Sequence, residues 1–358
     1  MTPPLDVARP HGIAAIAAAE PQRLAIVADE TRLTYGELDR RINRMANLLA
    51  DRQVGHGDRV AVMLRNRPEV FVAWNAAGRL GAIPVPVSYR FTSPEVRYVV
   101  GDSGSTVFVH DGNFDAGTVD GLPELRDCLD VDTMSLDDGP STPPTVEFLG
   151  TAVIPMAYTS GTTGRPKGIV RSKPTPAREA TPNPIAGFWG FAADDVHLLC
   201  GPAYHTAPGV YAQLHLMLGA CVVVMPPFDA ERCLELIETE RVTTSHMVPA
   251  NFVRILEADW QRHDRSSVRK ILHAAAPCPV PLKRRVMEVF PPGTVWEYYG
   301  MSEGLGTIIS PEEWLRKPGS VGRAFPGLDV KVVDDDGRSL PPGEVGTIRV
   351  SAIPGYEF

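Results

Sequence analysis

Two alternating periodicities constrain this chain more than any other feature. Short runs that are mostly apolar, "DRVAVML", "TVFVH" and "ACVVVM", alternate with stretches whose apolar residues recur every three or four positions, "EVFVAWNAAGRL", "DAERCLELIETERV", "ANFVRILEADW" and "PLKRRVMEVF". A run without a polar face has to be buried on both sides as a strand, and helix-spaced stripes supply the cover. The alternation predicts an α/β fold with mainly parallel sheets. "TYGELDRRINRMANLLADRQV" fits the same plan as a surface helix over a sheet. Leu38, Ile42, Met45, Leu48 and Leu49 share one face, with Arg40, Arg41 and Arg44 on the other.

With 358 residues and 44% apolar content, the chain can bury large cores in two or more compact units. "GIAAIAAAE" resembles the apolar part of a signal peptide, but its weakly hydrophobic alanines read as a helix that runs on into "RLAIVADETRLTYGEL". From 111 to 151 the chain is rich in Asp, Gly, Pro and Thr and loses periodicity, as a peripheral loop region does. The last segment, "LDVKVVDDDGRSLPPGEVGTIRV", alternates apolar and polar residues around an Asp-Asp-Gly turn and predicts antiparallel β-structure. The expected division is a large α/β unit over 1–325 and a β-hairpin or barrel portion over 326–358.

Net charge is −8, and no basic run exceeds Lys283–Arg285 in "VPLKRRVMEVF". That trio is expected on the solvated face of a helix, and nucleic acid is not an expected partner. The five cysteines are scattered, with no C-x-x-C pair, which fits a reducing cytoplasm and neither a disulfide framework nor a zinc site. No stretch approaches the ~18 apolar residues of a membrane span, so a soluble protein is expected.

The chemistry concentrates in "AYTSGTTGRPKG", Ala157–Gly168. Gly, Ser and Thr in such density let successive N–H groups converge on an anion, and phosphate is the natural occupant. A Walker loop requires Gly-Lys-Ser/Thr opening a helix. Here Arg165 and Pro166 separate Gly164 from Lys167, and the proline blocks that helix. The spacing of a dinucleotide fingerprint is absent too. An open loop after the strand-like "AVIPMAY" remains, with the Thr159, Ser160, Thr162 and Thr163 hydroxyls and the Lys167 charge available to a polyphosphate.

"YTSGTTGRPKG" resembles the phosphate loop of the adenylate-forming enzymes, the superfamily of acyl-CoA synthetases, luciferase and peptide-synthetase adenylation domains. "LTYGEL", "RLGAIPVPV", "PAYHTAPG", "HAAAPCP", "EYYGMSEG" and "GSVGRAFPG" keep the family's order over essentially the whole chain. The resemblance implies two mainly parallel sheets layered with helices, and a smaller antiparallel β subdomain at the C-terminal end. It also implies a ligase that activates an apolar carboxylic acid (fatty, steroid side-chain or cyclic) with ATP and Mg²⁺ to an acyl-adenylate, then passes the acyl group to coenzyme A.

By the same resemblance, Thr159, Ser160, Gly161, Thr162, Thr163, Gly164 and Lys167 would hold the β- and γ-phosphates. Ala275, Ala276 and Pro277 would line the adenine pocket with backbone, Tyr299 would stack on the base, and Tyr298 and Gly300 would flank it. Ser302 would lie near the α-phosphate, Glu303 would ligate Mg²⁺, and His205 would stand at the mouth of the acyl and pantetheine channels. His246 and His273 are expected to be structural or pocket-lining. Gly187 and Gly190 would open the acyl pocket, whereas Phe188, Trp189 and Phe191 would close it.

The chain departs from the family pattern in carrying Ser302 where Thr is common. It also stops after "GEVGTIRVSAIPGYEF", before the family's Thr-Gly-Asp motif, hinge and small lysine-bearing domain. The expectation is an N-terminal part whose half-reactions are both impaired alone. A nucleotide or acyl-adenylate binding module without turnover is the alternative. Gly300-Met301-Ser302-Glu303-Gly304 also matches the G-x-S-x-G hydrolase elbow, but no histidine comes after Ser302 and "LGTIIS" opens a helix poorly.

Overall fold

The computed structural model describes residues 12–144, 155–159, 166–169, 184–302 and 304–352. In chain order it opens with helix α1 (Ile13–Ala19), the hairpin β1 (Leu24–Ala28) and β2 (Thr31–Thr34), and helix α2 (Tyr35–Asp51). Strands β3 (Arg59–Met63), β4 (Ile83–Pro86), β5 (Val107–His110) and β6 (Asp127–Asp130) come next, with α3 (Pro68–Arg79) and α4 (Ser93–Asp102) between the first three. These four strands form an all-parallel sheet in the order β4-β3-β5-β6.

A short hairpin, β7 (Ala157–Thr159) and β8 (Lys167–Ile169), leads to α5 (Pro184–Trp189) and the second α/β stretch. That stretch comprises β9 (Val196–Leu199), α6 (Thr206–Leu218), β10 (Cys221–Val224), α7 (Ala230–Thr239), β11 (Thr244–Met247), α8 (Pro249–Glu257), β12 (Lys270–His273), α9 (Val280–Val289) and β13 (Val295–Met301). β14 (Gly304–Ile309), α10 (Pro311–Arg316), β15 (Arg323–Ala324) and the hairpin β16 (Leu328–Val333) with β17 (Thr347–Ala352) complete the described chain. The larger sheet has nine strands in the order β15-β14-β13-β12-β11-β9-β10-β1-β2, parallel from β1 to β13 and antiparallel only at its edges. Two mainly parallel sheets and a small antiparallel pair thus match the expected architecture.

Burial on both faces explains the unbroken apolar runs. Val60 and Val62 of β3, Val107 and Val109 of β5, and Val222 and Val224 of β10 share one core with α1, α2 and α3. Ala61, Met63 and Phe108 face α4 on the far side of the smaller sheet. Val27, Leu198 and Val223 face α7, α8 and α9 on the far side of the larger one. α2 is therefore covered by more than one sheet, although Arg40 remains exposed and Arg41 and Arg44 half-exposed.

The structure corrects the sequence reading in several places. Residues 111–151 are not loop throughout: β6 pairs parallel to β5, with Val107 opposite Asp127 and His110 opposite Asp130. The aspartates bounding "DCLD" hid a strand with a single buried residue, Leu129. The phosphate segment is not a loop simply trailing a strand either. β8 returns antiparallel to β7, which places Thr159 opposite Lys167 across the neck of a hairpin. Finally, Lys283 is not on a solvated face, because its relative exposure is 0%.

Candidate functional site

Parallel strands leave their carboxyl ends along one edge, where the connections into the next helices make a crevice for ligands. The expected site segments all come after such ends: Gly201–His205 after β9, Ala274–Pro277 after β12 and Ser302 after β13. The β7–β8 hairpin joins them by packing beside β4, with the Met156 N–H donating to the Pro84 carbonyl at 2.9 Å. Ala157, Ile169, His205 and Ser302 meet around one cavity of about 10 Å³ that Trp74 and Pro86 also line. That is space for about one water molecule. Sequence positions from 157 to 302 therefore converge.

Each segment has a local reason for its shape. Gly168 faces Tyr158 across the hairpin, and a β-carbon there would come within 3.0 Å of the Tyr158 ring and collide with Met156. Tyr158 is fixed in turn by donating its hydroxyl to Asp102 at 2.7 Å. Tyr98 donates to the Pro166 carbonyl at 3.2 Å, holding the return strand from the other side. Lys167 is exposed at the neck, available to an anion. Ser160, Gly161, Thr162, Thr163 and Gly164 lie outside the described residues, as does Glu303.

His205 is the residue just before α6 and is exposed. Its pKa lies below the usual histidine value through desolvation first and the Arg90 charge second, so the ring is neutral near pH 7. Asn66 shapes the turn that delivers it, donating to the Gly201 carbonyl at 2.9 Å and accepting from the Ala203 N–H at 2.8 Å. Gly209 completes the turn: a β-carbon there would clash with the Ala203 carbonyl and lie 2.7 Å from the Trp74 ring. Asn66 carried no motif and was invisible in the sequence.

Ala275, Ala276 and Pro277 are exposed beyond β12, and Ala275 has φ +74°. A side-chain-bearing residue in that region costs about 1–3 kcal/mol and persists where its surroundings over-determine it. On β13, Tyr298 and Tyr299 take opposite faces. Tyr298 is buried and its hydroxyl lies 2.9 Å from His246 Nε2, whereas Tyr299 is 37% exposed. A bulge separates Tyr299 from the half-buried Gly300. Of the two, Tyr299 is therefore the exposed ring, and Tyr298 belongs to the cluster beneath.

Ser302 is a turn residue between β13 and β14, with Met301 paired to Gly304. The next element is a strand, not a helix, which excludes the hydrolase elbow.

The cluster beneath is aromatic. Trp189 is fully buried, edge-on to Trp296 at 6.0 Å and 6.1 Å from Tyr298. Phe188 sits 4.5 Å from Phe325. Trp189 and Phe191 are buried in this cluster with Tyr211 and Leu214, and Phe188 packs against it. The Lys270 ammonium donates to the Trp189 carbonyl at 2.5 Å, and desolvation lowers its pKa to about 8. His246 is neutral, its pKa lowered to about 3 by burial.

A second buried polar group escaped the sequence reading. Lys283 on α9 donates to Glu297 on β13 at 2.6 Å, and its ammonium lies 4.9 Å from the Trp314 ring centre. Desolvation lowers the Lys283 pKa against the opposing pull of Glu297. The sequence did hold a signal. Lys283 shares the helical phase of Val286, and Glu297 is a lone charge in an apolar strand.

Among the described residues no three His, Cys, Asp or Glu side chains gather to hold a metal. A larger open cleft of about 700 Å³ lies between β13–β14 and β16–β17, lined by Met301, Leu305, Asp334, Asp336, Arg349 and Val350. Among the described residues that line it, none is a candidate nucleotide, metal or catalytic residue of the sequence analysis. No helix among the described residues is long and apolar enough to cross a membrane.

Residues 13–353 match the family model of the AMP-binding enzymes. The chain is 34% identical to indoleacetate–CoA ligase of Aromatoleum aromaticum, over 93% of this chain and 68% of that protein. It is 32% identical to the long-chain-fatty-acid–CoA ligase FadD13 of Mycobacterium tuberculosis, over 96% of this chain and 70% of the ligase. Among solved structures, the N-terminal domain of FACL13 from Mycobacterium tuberculosis superposes with a TM-score of 0.81 at 28% identity, covering 95% of this chain and 88% of that one. The o-succinylbenzoate CoA synthetase of Bacillus subtilis, in complex with ATP and magnesium ion, gives a TM-score of 0.82 at 28% identity, covering 96% and 71%. The chain belongs to the AMP-binding enzyme family, the ATP-dependent, AMP-forming acid–CoA ligases of the adenylate-forming superfamily.

Proposed function

We propose that the chain binds Mg·ATP and an apolar carboxylate between β7–β8, the 274–277 turn and the end of β13, and joins them as an acyl-adenylate for transfer to coenzyme A. The carrying observation is the convergence of the hairpin strands, His205 and Ser302 on one cavity. Such chemistry asks a protein mainly to position reactants and neutralise charge. Thr159, Ser160, Gly161, Thr162, Thr163, Gly164 and Lys167 hold the β- and γ-phosphates. The 275–277 backbone and Tyr299 form the two walls of the adenine slot. Ser302 reaches the α-phosphate, Glu303 takes Mg²⁺, and neutral His205 stands where acid and thiol enter.

The acid extends toward the cluster of Phe188, Trp189, Tyr211 and Tyr298. The aromatic side chains packed there support a cyclic or aromatic carboxylate over a long chain, since ring faces and edges pair favourably. Indoleacetate and ferulate are acids named for relatives of comparable identity.

The test is a titration with acyl-sulfamoyl-adenosine mimics of the intermediate. One carrying an aromatic acyl group is expected to bind about 100-fold tighter than AMP or better. Mimics that bind no tighter than AMP, whatever the acyl group, would leave a nucleotide-binding module with no acid site.

A further inference from the structure

Both ends of the turn that carries Ala275–Pro277 reach one carboxylate. His273, the last residue of β12, is the register partner of Glu297 on β13 and holds Nε2 3.6 Å from its Oε2. Lys283, on the helix that receives the turn, donates to that same oxygen at 2.6 Å. The Lys283 main-chain N–H also binds the Pro279 carbonyl at 3.0 Å, so backbone and side chain act together at the helix start. Glu297 itself stands two residues before Tyr299 on the same strand.

All three side chains are buried, and neither ring nitrogen of His273 has a hydrogen-bond partner among the described residues. Burying an ion pair is a poor way to gain stability, because well-packed apolar groups of similar volume do as well or better. What the pair supplies and apolar packing does not is a directional link. The Ala275 backbone, held in the left-handed region, lies inside the segment so linked.

We propose that Lys283 and Glu297 are positioning residues for adenine recognition, fixing the Ala275–Pro277 backbone against Tyr299 through a single carboxylate. The proposal rests on the assignment of those segments to the adenine slot.

The deciding experiment measures AMP and pyrophosphate affinity by calorimetry, together with thermal stability. The variants are the Lys283→Met/Glu297→Leu double variant, Glu297→Gln and Tyr299→Ala. The double variant removes both charges and keeps the volume. It is expected to fold and to lose about tenfold or more in AMP affinity, the scale on which small misplacements act. Pyrophosphate, held by the β7–β8 loop, should bind as before. Glu297→Gln keeps shape and an acceptor for Lys283, and should show a smaller loss of the same kind.

AMP affinity within about twofold of wild type in the folded double variant overturns the proposal; should that variant not fold, the same result in Glu297→Gln does so. Tyr299→Ala separates the two possible failures. If it loses AMP while the pair variants do not, only the positioning role falls. If it binds AMP normally, the adenine assignment falls and takes the proposal with it.

Discussion

α2 and α9 carry the same kind of pattern and fold differently. Both are amphipathic with closely spaced cations, Arg40, Arg41 and Arg44 in one and Lys283, Arg284 and Arg285 in the other. On α2 the cations work at the rim: Arg41 pairs with Asp137 at 3.0 Å and Arg44 donates to the Leu136 carbonyl at 2.9 Å. On α9 one cation turns inward to Glu297 while Arg284 and Arg285 stay exposed. α2 begins with a full capping box between Thr34 and Glu37, whereas α9 starts after Pro279 with no side-chain cap. One helix is anchored by its local sequence and the other by a contact across the fold. Hydrophobic phase thus locates a buried face reliably, but says nothing of whether that face is wholly apolar.

The sharpest way to break this contrast is to remove one cation from each helix. Lys283→Ala leaves Glu297 charged and buried alone and should cost about 3–5 kcal/mol in urea unfolding. Arg40→Ala should cost less than about 0.5 kcal/mol. Equal losses would mean that α9 does not depend on its pair.

Acid should separate the regions next. His215 and His246 lie buried on the larger sheet's side with pKa values lowered by desolvation to about 4 and about 3. Below the ordinary pKa near 6.5, the unfolded chain binds protons that the folded one does not, so stability falls as pH drops. The loss is about 2 kcal/mol per histidine between pH 6.5 and 5, and ends as each folded pKa is passed. Urea unfolding at both pH values should show that His246→Gln removes one such increment, while substitutions on α2 remove none.

Smaller still is the cap. Thr34→Ala should destabilise by about 1 kcal/mol, read from the denaturation midpoint. Arg41→Ala, losing an exposed pair with Asp137, should fall within about 0.5 kcal/mol of wild type.

The α/β plan was legible because parallel strands buried on both faces leave unbroken apolar runs. β6 was not, since an edge strand needs few apolar residues and Asp127 and Asp130 bound it. The phosphate segment was recognisable from composition, but pairing of Thr159 with Lys167 across a hairpin neck depends on contacts with Pro84 and Asp102, distant in sequence. Adjacent tyrosines in "EYYGMSEG" read as one motif, and strand alternation divides them between the core and the exposed face. Lys283 and Glu297 were each legible as anomalies, a cation on an apolar phase and a lone acid in an apolar strand. Only the packing of α9 against β13 shows that they meet.

The most direct test of the account is AMP binding to wild type and to Tyr299→Ala, each checked for an unchanged melting temperature. The account predicts that removing the exposed ring weakens AMP by about tenfold, the order of a lost stacking contact of about 1–3 kcal/mol per base. A Tyr299→Ala protein that folds normally and binds AMP as tightly as wild type would contradict it, and would move the nucleotide away from the end of β13.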